Sequence, residues 1–141
     1  MSRICWDTML FIYLLEDNPS FSPRVRHLLD RSYNRGDQLF TSYLSLGEVM
    51  AGADKLGNVR NAHTLRETIR EMGFVCLPFD EESVAPFGKL RSRDRLKVAD
   101  AIHLACAASA GIDLFLTGDA QLTKLDVPGI QFIAEFNTPI L

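Results

Sequence analysis

Short apolar runs alternate with longer, one-sided amphipathic segments along most of this chain. Runs of three or four mainly apolar residues predict buried strands, whereas apolar residues that recur every three or four positions predict helices. The predicted strands are Arg3–Trp6, Gln38–Thr41, Phe74–Leu77, Leu114–Leu116 and Gln131–Ile133. Strands that alternate with helices are typical of an α/β domain with a mainly parallel sheet.

Capping residues and glycines set the limits of the predicted helices. These cover about 9–15, 22–34, 42–52, 58–72 and 97–110, and the last two are closed by Gly73 and Gly111. Ser22 is predicted to cap the second helix, with Pro23 at its first position. Asp80 is predicted to cap a further helix, in which Pro86 favours a late start or a kink.

Length and charge limit what the protein can be. A chain of 141 residues with 47% apolar content buries one substantial core, so residues 1–141 are predicted to form a single domain. The eighteen acids exceed the fifteen bases by three. This balance argues against a protein that coats nucleic acid through overall positive charge, so any contact with nucleic acid is expected to be local.

The cysteines and the apolar runs predict a cytoplasmic protein. Cys5, Cys76 and Cys106 lie in apolar stretches without metal-ligand spacing, as small core residues of a reducing compartment do. The apolar run after Arg3 is interrupted early by Asp7, so no secretion signal is expected. No run approaches the ~20 residues that a membrane span needs, and no membrane association is expected.

Four acids lie where an apolar segment meets a helix. Asp7 and Asp119 follow predicted strands, and Glu48 and Asp100 lie near the starts of predicted helices. In an open parallel sheet these positions open onto the same edge, where ligand sites form. Clustered carboxylates are the ligands that Mg²⁺ and Mn²⁺ prefer, so the four acids predict a divalent metal site.

Each acid also has a purely structural interpretation. Asp7 and Asp119 are suited to cap helices, Asp100 favours the positive end of a helix dipole, and Ser45 to Glu48 matches a capping box. Capping accepts Ser, Thr or Asn as readily as Asp, however, and crowded carboxylates repel unless a cation offsets them. Taken together, the four acids favour one site that a bound metal ion would stabilise.

Four segments in series resemble those of a PIN domain, and more specifically the small VapC-like ribonuclease toxins. They are the N-terminal strand ending in Asp7-Thr8, the Glu48-Val49 helix, Lys97–Ala105 and Leu116–Asp119. The order and spacing of these segments cover nearly the whole chain. Two departures from the family pattern are Met9, where a small polar residue often stands, and Gly118, where Asn is frequent.

The resemblance implies a three-layer α/β/α fold and a Mg²⁺- or Mn²⁺-dependent endoribonuclease, with one or two ions per site, that is the toxin of a type II toxin–antitoxin pair. Asp7, Glu48, Asp100 and Asp119 would form its acidic quartet, and Thr117 would orient the quartet by hydrogen bonding. In such a site the three aspartates are expected to be direct or water-mediated metal ligands, and Glu48 a second-metal ligand or an orienter of water. It also implies a homodimer that is inhibited by a cognate antitoxin protein. The alternative is a catalytically silent PIN-fold module that binds a protein or an RNA.

Two further features bear on the chemistry. The densest basic stretch, which leads directly to Asp100, is either an RNA-phosphate contact or a solvated connection; it comprises Lys89, Arg91, Arg93, Arg95 and Lys97. His103, one turn after Asp100, is interpreted as a histidine packed beside the site rather than as a general base, because metal-bound water is already acidified.

Two other classes that use aspartate at a strand end are not supported. A haloacid dehalogenase phosphatase needs a second aspartate two residues after the first, where this chain has Met9. A phospho-acceptor receiver domain needs an acidic pair near the first strand and an acceptor aspartate after the third, and neither is present.

Overall fold

The computed structural model of the chain describes residues 1–55, 59–139 and 141, without the side chains of residues 54, 55 and 59–62. Its elements are β1 (Arg3–Trp6), α1 (Thr8–Leu15), α2 (Ser22–Arg35), β2 (Gln38–Ser42), α3 (Tyr43–Lys55), α4 (Val59–Glu71), β3 (Phe74–Leu77), α5 (Glu81–Ser92), α6 (Val98–Ala110), β4 (Ile112–Thr117), a 3-10 helix (Ala120–Lys124) and β5 (Ile130–Glu135).

A five-stranded sheet with the order β3-β2-β1-β4-β5 forms the middle of the described structure. Every neighbouring pair of strands in it is parallel. The chain moves outward from β1 to β3 and then crosses to β4 on the other side of β1. The strand order therefore reverses between β1 and β4, where open α/β sheets place their ligand crevice. The predicted α/β fold with a mainly parallel sheet is confirmed.

Helices cover both faces of the sheet because successive strand side chains point to opposite faces. Ile4 and Trp6 of β1 pack with α1, α2, α3 and α4, whereas Cys5 packs with α5, α6 and the 3-10 helix. The result is the three-layer α/β/α arrangement that the resemblance implies. Phe11 and Leu28 are fully buried in the first of these cores.

The predicted starts of α2 and α3 agree with the structure to within one residue, but two predicted capping roles are wrong. Ser22 is the first residue of α2 and is buried, and the capping position belongs to Phe21. The Ser22 hydroxyl instead donates to Asp17 Oδ1 (3.2 Å). The proposed Ser45–Glu48 capping box is absent because α3 begins earlier, at Tyr43, and Glu48 lies more than one turn into it.

Other helix limits follow the predicted chemistry. Gly36 and Gly111 end α2 and α6 in the left-handed conformation, with φ of 71° and 70°. Asp80 caps α5 by accepting from the Glu82 N–H (3.1 Å), so Pro86 lies inside the helix and does not delay its start. The predicted start of α4 at Asn58 lies outside the described residues.

The three cysteines are free thiols. Burial, followed by the charge of Asp80, raises the pKa of Cys106 to about 11, which makes this thiol unreactive at neutral pH. None of the helices in the described part of the chain is long and apolar enough to cross a membrane.

Candidate active site

Asp7 directly follows β1 at the point where the strand order reverses. Its backbone N–H donates to Leu116 O (3.0 Å), which extends the pairing of β1 with β4 by one residue. The carboxylate accepts from the Thr117 hydroxyl (2.5 Å) and the Gly118 N–H (3.0 Å) through Oδ2, and from the Met9 N–H (3.1 Å) through Oδ1. The hydrogen bond from the Met9 N–H makes Asp7 the N-cap of α1. Asp7 therefore caps a helix and also lies in the candidate site.

The electrostatics of Asp7 favour a nearby cation. Burial raises the pKa of its carboxyl above the ordinary 3.8, and the hydrogen bonds from Thr117, Gly118 and Met9 oppose this rise. A higher pKa in the folded protein means that the carboxylate loses solvation on folding that its hydrogen bonds do not fully replace. Positive charge beside Asp7 would restore part of this lost solvation.

Asp100 lies in the first turn of α6, within the influence of two other acids. Burial raises the pKa of its carboxyl above 3.8; His103 and Lys97 oppose the rise, while the negative charges of Asp119 and Glu48 add to it. Asp100 receives no hydrogen bond from the residues that the structure describes. Its carboxylate is therefore the least restrained of the four.

Asp119 caps the 3-10 helix, as its sequence position predicts. Its Oδ1 accepts from the Gln121 N–H (2.9 Å), and its own N–H donates to Thr117 Oγ1 (3.0 Å). Thr117 Oγ1 thus accepts from Asp119 and donates to Asp7. One buried hydroxyl links the segment after β4 to the end of β1.

Glu48 reaches the same region from α3 and is held through one oxygen. Its Oε1 accepts from the Thr8 hydroxyl (2.7 Å) and lies 2.8 Å from His103 Nε2. The other ring nitrogen of His103, Nδ1, is 2.7 Å from Ser42 Oγ. This chain of polar contacts joins α1, α3, α6 and the end of β2 beside the site.

A cavity of about 300 Å³ collects three of the four acids. Its polar lining comes from Asp7, Thr8, Glu48, Asp100 and His103. Apolar side chains complete the wall; they are Met9, Ile12, Ala99, Phe115 and Leu122. The exposed side chain of Asp119 is not among the lining residues, and it acts on the cavity through its charge on Asp100.

The donor set fits a hard divalent cation in its chemistry, since carboxylate oxygens are what Mg²⁺ and Mn²⁺ prefer. In the described part of the chain, no group of three or more His, Cys, Asp or Glu side chains stands in an arrangement that would hold a metal ion. Holding an ion would therefore require side-chain movement toward a common point. Asp100 has the freedom for such a movement.

A family model for the PIN domain matches residues 4–128. This chain belongs to the PIN domain family. The match runs from the middle of β1 to just beyond the 3-10 helix, so it contains every acid of the candidate site. A comparison with curated proteins gave no significant match.

Three solved structures share this PIN fold. A chain of VapBC2 from Rickettsia felis, bound to a DNA fragment from its promoter, is 13% identical with a TM-score of 0.75, over 94% of this chain and 97% of that one. A chain of a toxin–antitoxin complex from Klebsiella pneumoniae is 20% identical with a TM-score of 0.64, over 90% of this chain and 94% of that one. A chain of VapBC-5, a member of the VapBC family of toxin–antitoxin systems from Mycobacterium tuberculosis, is 20% identical with a TM-score of 0.54, over 69% of this chain and 81% of that one. At these identities the likeness shows a shared fold.

The two departures from the PIN pattern are neighbours in space. A Cβ atom on Gly118 would lie 3.2 Å from Cβ of Met9, closer than an ordinary contact. Met9 is partly exposed and lines the acidic cavity. The absence of a side chain at Gly118 therefore makes room for a large apolar residue at the rim of the PIN-domain site.

The basic stretch begins in the last turn of α5, with Lys89 and Arg91, and continues through the connection to α6 of this PIN domain. Its five side chains are exposed. Arg91 has a structural partner, because its Nη1 donates to Leu96 O (2.7 Å). Lys97 occupies the N-cap position of α6 without a side-chain capping bond, and its charge lowers the pKa of Asp100. Arg93 and Lys89 line a second cavity of about 360 Å³ together with Asp94 and Asp126.

Sequence reasoning missed the partners of Glu48. Thr8 was part of the Asp-Thr pair without a role of its own, and His103 was interpreted as packing beside the site. His103 lies on the same face of α6 as Asp100, three positions on, so the helical period places it near the site. The period does not reveal that α3 brings Glu48 against its ring.

Proposed function

We propose that this protein is a divalent-metal-dependent endoribonuclease that hydrolyses RNA phosphodiester bonds and is the toxin of a type II toxin–antitoxin pair. The observation that carries the proposal is the cavity at the point where the strand order of the PIN-domain sheet reverses. Asp7, Glu48 and Asp100 all line this cavity. The electrostatics of the cavity support the proposal. Burial raises the pKa of Asp7 and of Asp100, which indicates carboxylates that lack a compensating charge.

Asp7, Asp100 and Asp119 are the proposed ligands of one or two Mg²⁺ or Mn²⁺ ions, and Glu48 is proposed to hold a second ion or to orient water. A bound ion of this kind acidifies water and neutralises negative charge on the phosphate. Asp7 is already held by Thr117 and Gly118, so its orientation requires no rearrangement. Asp100 and Asp119 would have to turn toward the ion to complete the ligand set, since Asp119 does not line the cavity as Asp7 does.

The basic stretch is proposed to guide the RNA. An acidic cavity repels a phosphate backbone, and exposed cations on the path to Asp100 would offset that repulsion. The candidates are exposed side chains of the last turn of α5 and of the connection to α6; they are Lys89, Arg93, Arg95 and Lys97. Arg91 is the weakest candidate because it already donates to Leu96 O.

The toxin assignment rests on the likeness to chains of solved toxin–antitoxin complexes. It includes a cognate antitoxin, encoded in a neighbouring reading frame, and a homodimeric toxin. Addition of that antitoxin is expected to stop cleavage, and light scattering of the purified toxin is expected to give twice the mass of the 15.8 kDa chain.

The enzymatic proposal is tested by incubating the purified protein with structured RNA in Mg²⁺ or Mn²⁺. Cleavage is expected to need the ion and to fall by at least about 100-fold in Asp7→Asn and Asp100→Asn. The exposed, distant Asp30→Asn is the matched control and should cleave as the parent does. Cleavage that survives EDTA, or survives both substitutions, would falsify the metal mechanism.

One observation favours a second candidate, a catalytically silent PIN-fold module that binds a protein or an RNA. It is the open arrangement of the described acids, which as placed do not form a metal-binding group. The two candidates differ in calorimetry with Mn²⁺. A nuclease should bind the ion and lose it in Asp100→Asn, whereas a silent module should bind its partner equally well with or without the ion.

A further inference from the structure

His103 is buried between α6 and α3, with only 7% of its surface exposed. Both of its ring nitrogens have polar partners. Nδ1 lies 2.7 Å from Ser42 Oγ and 3.3 Å from Ser45 Oγ, and Nε2 lies 2.8 Å from Glu48 Oε1. The backbone N–H of Ser45 donates to Ser42 Oγ (3.0 Å), so the serine that holds the ring is itself held at the start of α3.

The chemistry of Glu48 decides which nitrogen carries a proton. A carboxylate only accepts hydrogen bonds, so the contact at 2.8 Å requires a proton on Nε2 whether the ring is neutral or charged. The Thr8 hydroxyl donates to the same carboxylate oxygen at 2.7 Å. Both bonds end on Oε1, and neither engages Oε2.

A glutamate on a helix surface has three rotatable side-chain torsions, and fixing them costs conformational free energy. The side chain of Glu48 is 39% exposed and lines the acidic cavity, so without its partners it would be free to turn into solvent. Two hydrogen bonds from buried or half-buried donors place its carboxylate before any ligand arrives. A site organised in advance binds its ligand with less loss of freedom.

We propose that His103 is a positioning residue: held by Ser42 and Ser45, it donates through Nε2 to Glu48 Oε1 and, with Thr8, leaves Oε2 as the oxygen that serves the site. The task of Glu48 in this inference rests on the proposed metal-dependent function. The hydrogen bond itself does not rest on it, and can be measured in the protein without metal.

A role for His103 as a general base does not fit these contacts. Its Nε2 bears a proton that is directed at Glu48, and its Nδ1 is engaged with Ser42 Oγ. Neither nitrogen therefore presents a free lone pair to water in the cavity. The ring acts on the reaction only through the carboxylate that it holds.

The test uses calorimetric binding of Mn²⁺ to the whole protein. His103→Phe keeps a ring and removes both polar contacts, and it is expected to weaken Mn²⁺ binding by about 10- to 100-fold. His103→Gln keeps an amide donor near the position of Nε2 and should recover most of the affinity. His27→Phe, at an exposed histidine of α2, is the matched control and should bind Mn²⁺ as the parent does.

A second background separates positioning from general damage to the fold. In Glu48→Ala there is no carboxylate left to place, so adding His103→Phe should cause no further loss of Mn²⁺ affinity. An equal loss in both backgrounds would overturn the proposal, because it would show that the ring acts independently of Glu48. Failure of Gln to recover affinity where Phe loses it would also count against it.

The hydrogen bond is tested without metal by ¹⁵N NMR of the imidazole nitrogens. Protonation of His103 Nε2 is expected in the parent protein, with a change in its shift in Glu48→Ala. An unprotonated Nε2 in the parent would overturn the positioning role. If the parent binds no Mn²⁺ yet shows this signature, the metal mechanism fails while the His103–Glu48 contact stands.

Discussion

Asp100 combines a half-buried carboxylate with two acidic neighbours and, among the described residues, no hydrogen-bond donor. Burial, together with Asp119 and Glu48, raises its pKa above 3.8. An aspartate whose pKa is higher in the folded state binds its proton more tightly there, so ionisation at neutral pH costs stability. A carboxylate that serves the proposed site would be retained at the expense of stability.

Asp100→Asn is therefore expected to raise the melting temperature of the metal-free protein at pH 7, by about 1 to 3 °C. The gain should shrink as the pH falls through the raised pKa toward 3.8, because the parent carboxyl then becomes neutral as well. Calorimetry in EDTA across this pH range measures both effects.

Asp126→Asn, at an exposed loop aspartate outside the acidic cavity, serves as the matched control for this measurement. It should leave the melting temperature within about 1 °C of the parent at every pH. A lower melting temperature for Asp100→Asn at pH 7 would contradict the burial-dominated cause assigned to its pKa.

At this scale the sequence predicts positions better than partners. Asp7 and Asp119 follow strands, so a strand pattern is enough to bring them to one edge. Glu48 and His103 are 55 positions apart and lie on two different helices, α3 and α6. Their contact depends on how each helix is rotated about its axis. A hydrophobic period gives the buried face of a helix, but it does not give the polar neighbour on the next helix.

Gly129 and Gly88 show how differently the elements of this fold tolerate a methyl group. Gly129 precedes β5 with φ of 100°, and a Cβ there would lie 2.4 Å from Ala108 O of α6. Gly88 lies within α5, and a Cβ there would have no described neighbour within 4 Å. One glycine permits a close approach of two elements, whereas the other only weakens a helix.

Gly129→Ala is accordingly expected to destabilise the protein by about 2 kcal/mol or more, since strain and collision act together. Gly88→Ala is expected to stabilise it by about 0.5 to 1 kcal/mol through helix propensity. Urea unfolding at equilibrium measures both changes. Equal effects of the two substitutions would show that the close approach to α6 carries no energetic weight.

Glycines at helix ends were more reliable signals than serines near helix starts. A glycine in the left-handed conformation terminates α2 and α6, and few other residues adopt that conformation without cost. Serines are less specific, because a buried serine also serves as an internal hydrogen-bond donor. The Ser22 hydroxyl donates to Asp17 inside the fold, whereas Ser42 Oγ accepts from the Ser45 N–H at the start of α3, and the local sequence does not distinguish these two uses of serine.

The molecule as a whole carries a net charge of −3, so the proposed RNA substrate would have to be attracted locally against a weak overall repulsion. The basic stretch at the end of α5 and in the connection to α6 is the proposed source of that attraction. Lys89→Ala combined with Arg93→Ala is expected to weaken RNA binding and to reduce the slope of log affinity against log salt by about 1.4. Filter binding or anisotropy at several salt concentrations, without divalent ions, measures the slope.

Arg31→Ala provides the comparison for this electrostatic effect. Arg31 is an exposed cation of α2, which packs on the opposite face of the sheet from α5. Its removal should leave the salt slope close to that of the parent. Equal losses of RNA affinity in the two variants would assign the attraction to general surface charge. The basic stretch would then no longer belong to the proposed site.

Trp6 is the only tryptophan of the chain, is 1% exposed, and immediately precedes Asp7. Its indole packs against Phe11 and Phe74, with ring centroids 5.1 Å and 4.8 Å away. Indole emission responds to water and to nearby charge, so a single natural fluorophore lies one peptide bond from the candidate site. Unfolding, and the arrival of an ion or a partner at Asp7, can therefore be followed optically in the unlabelled protein.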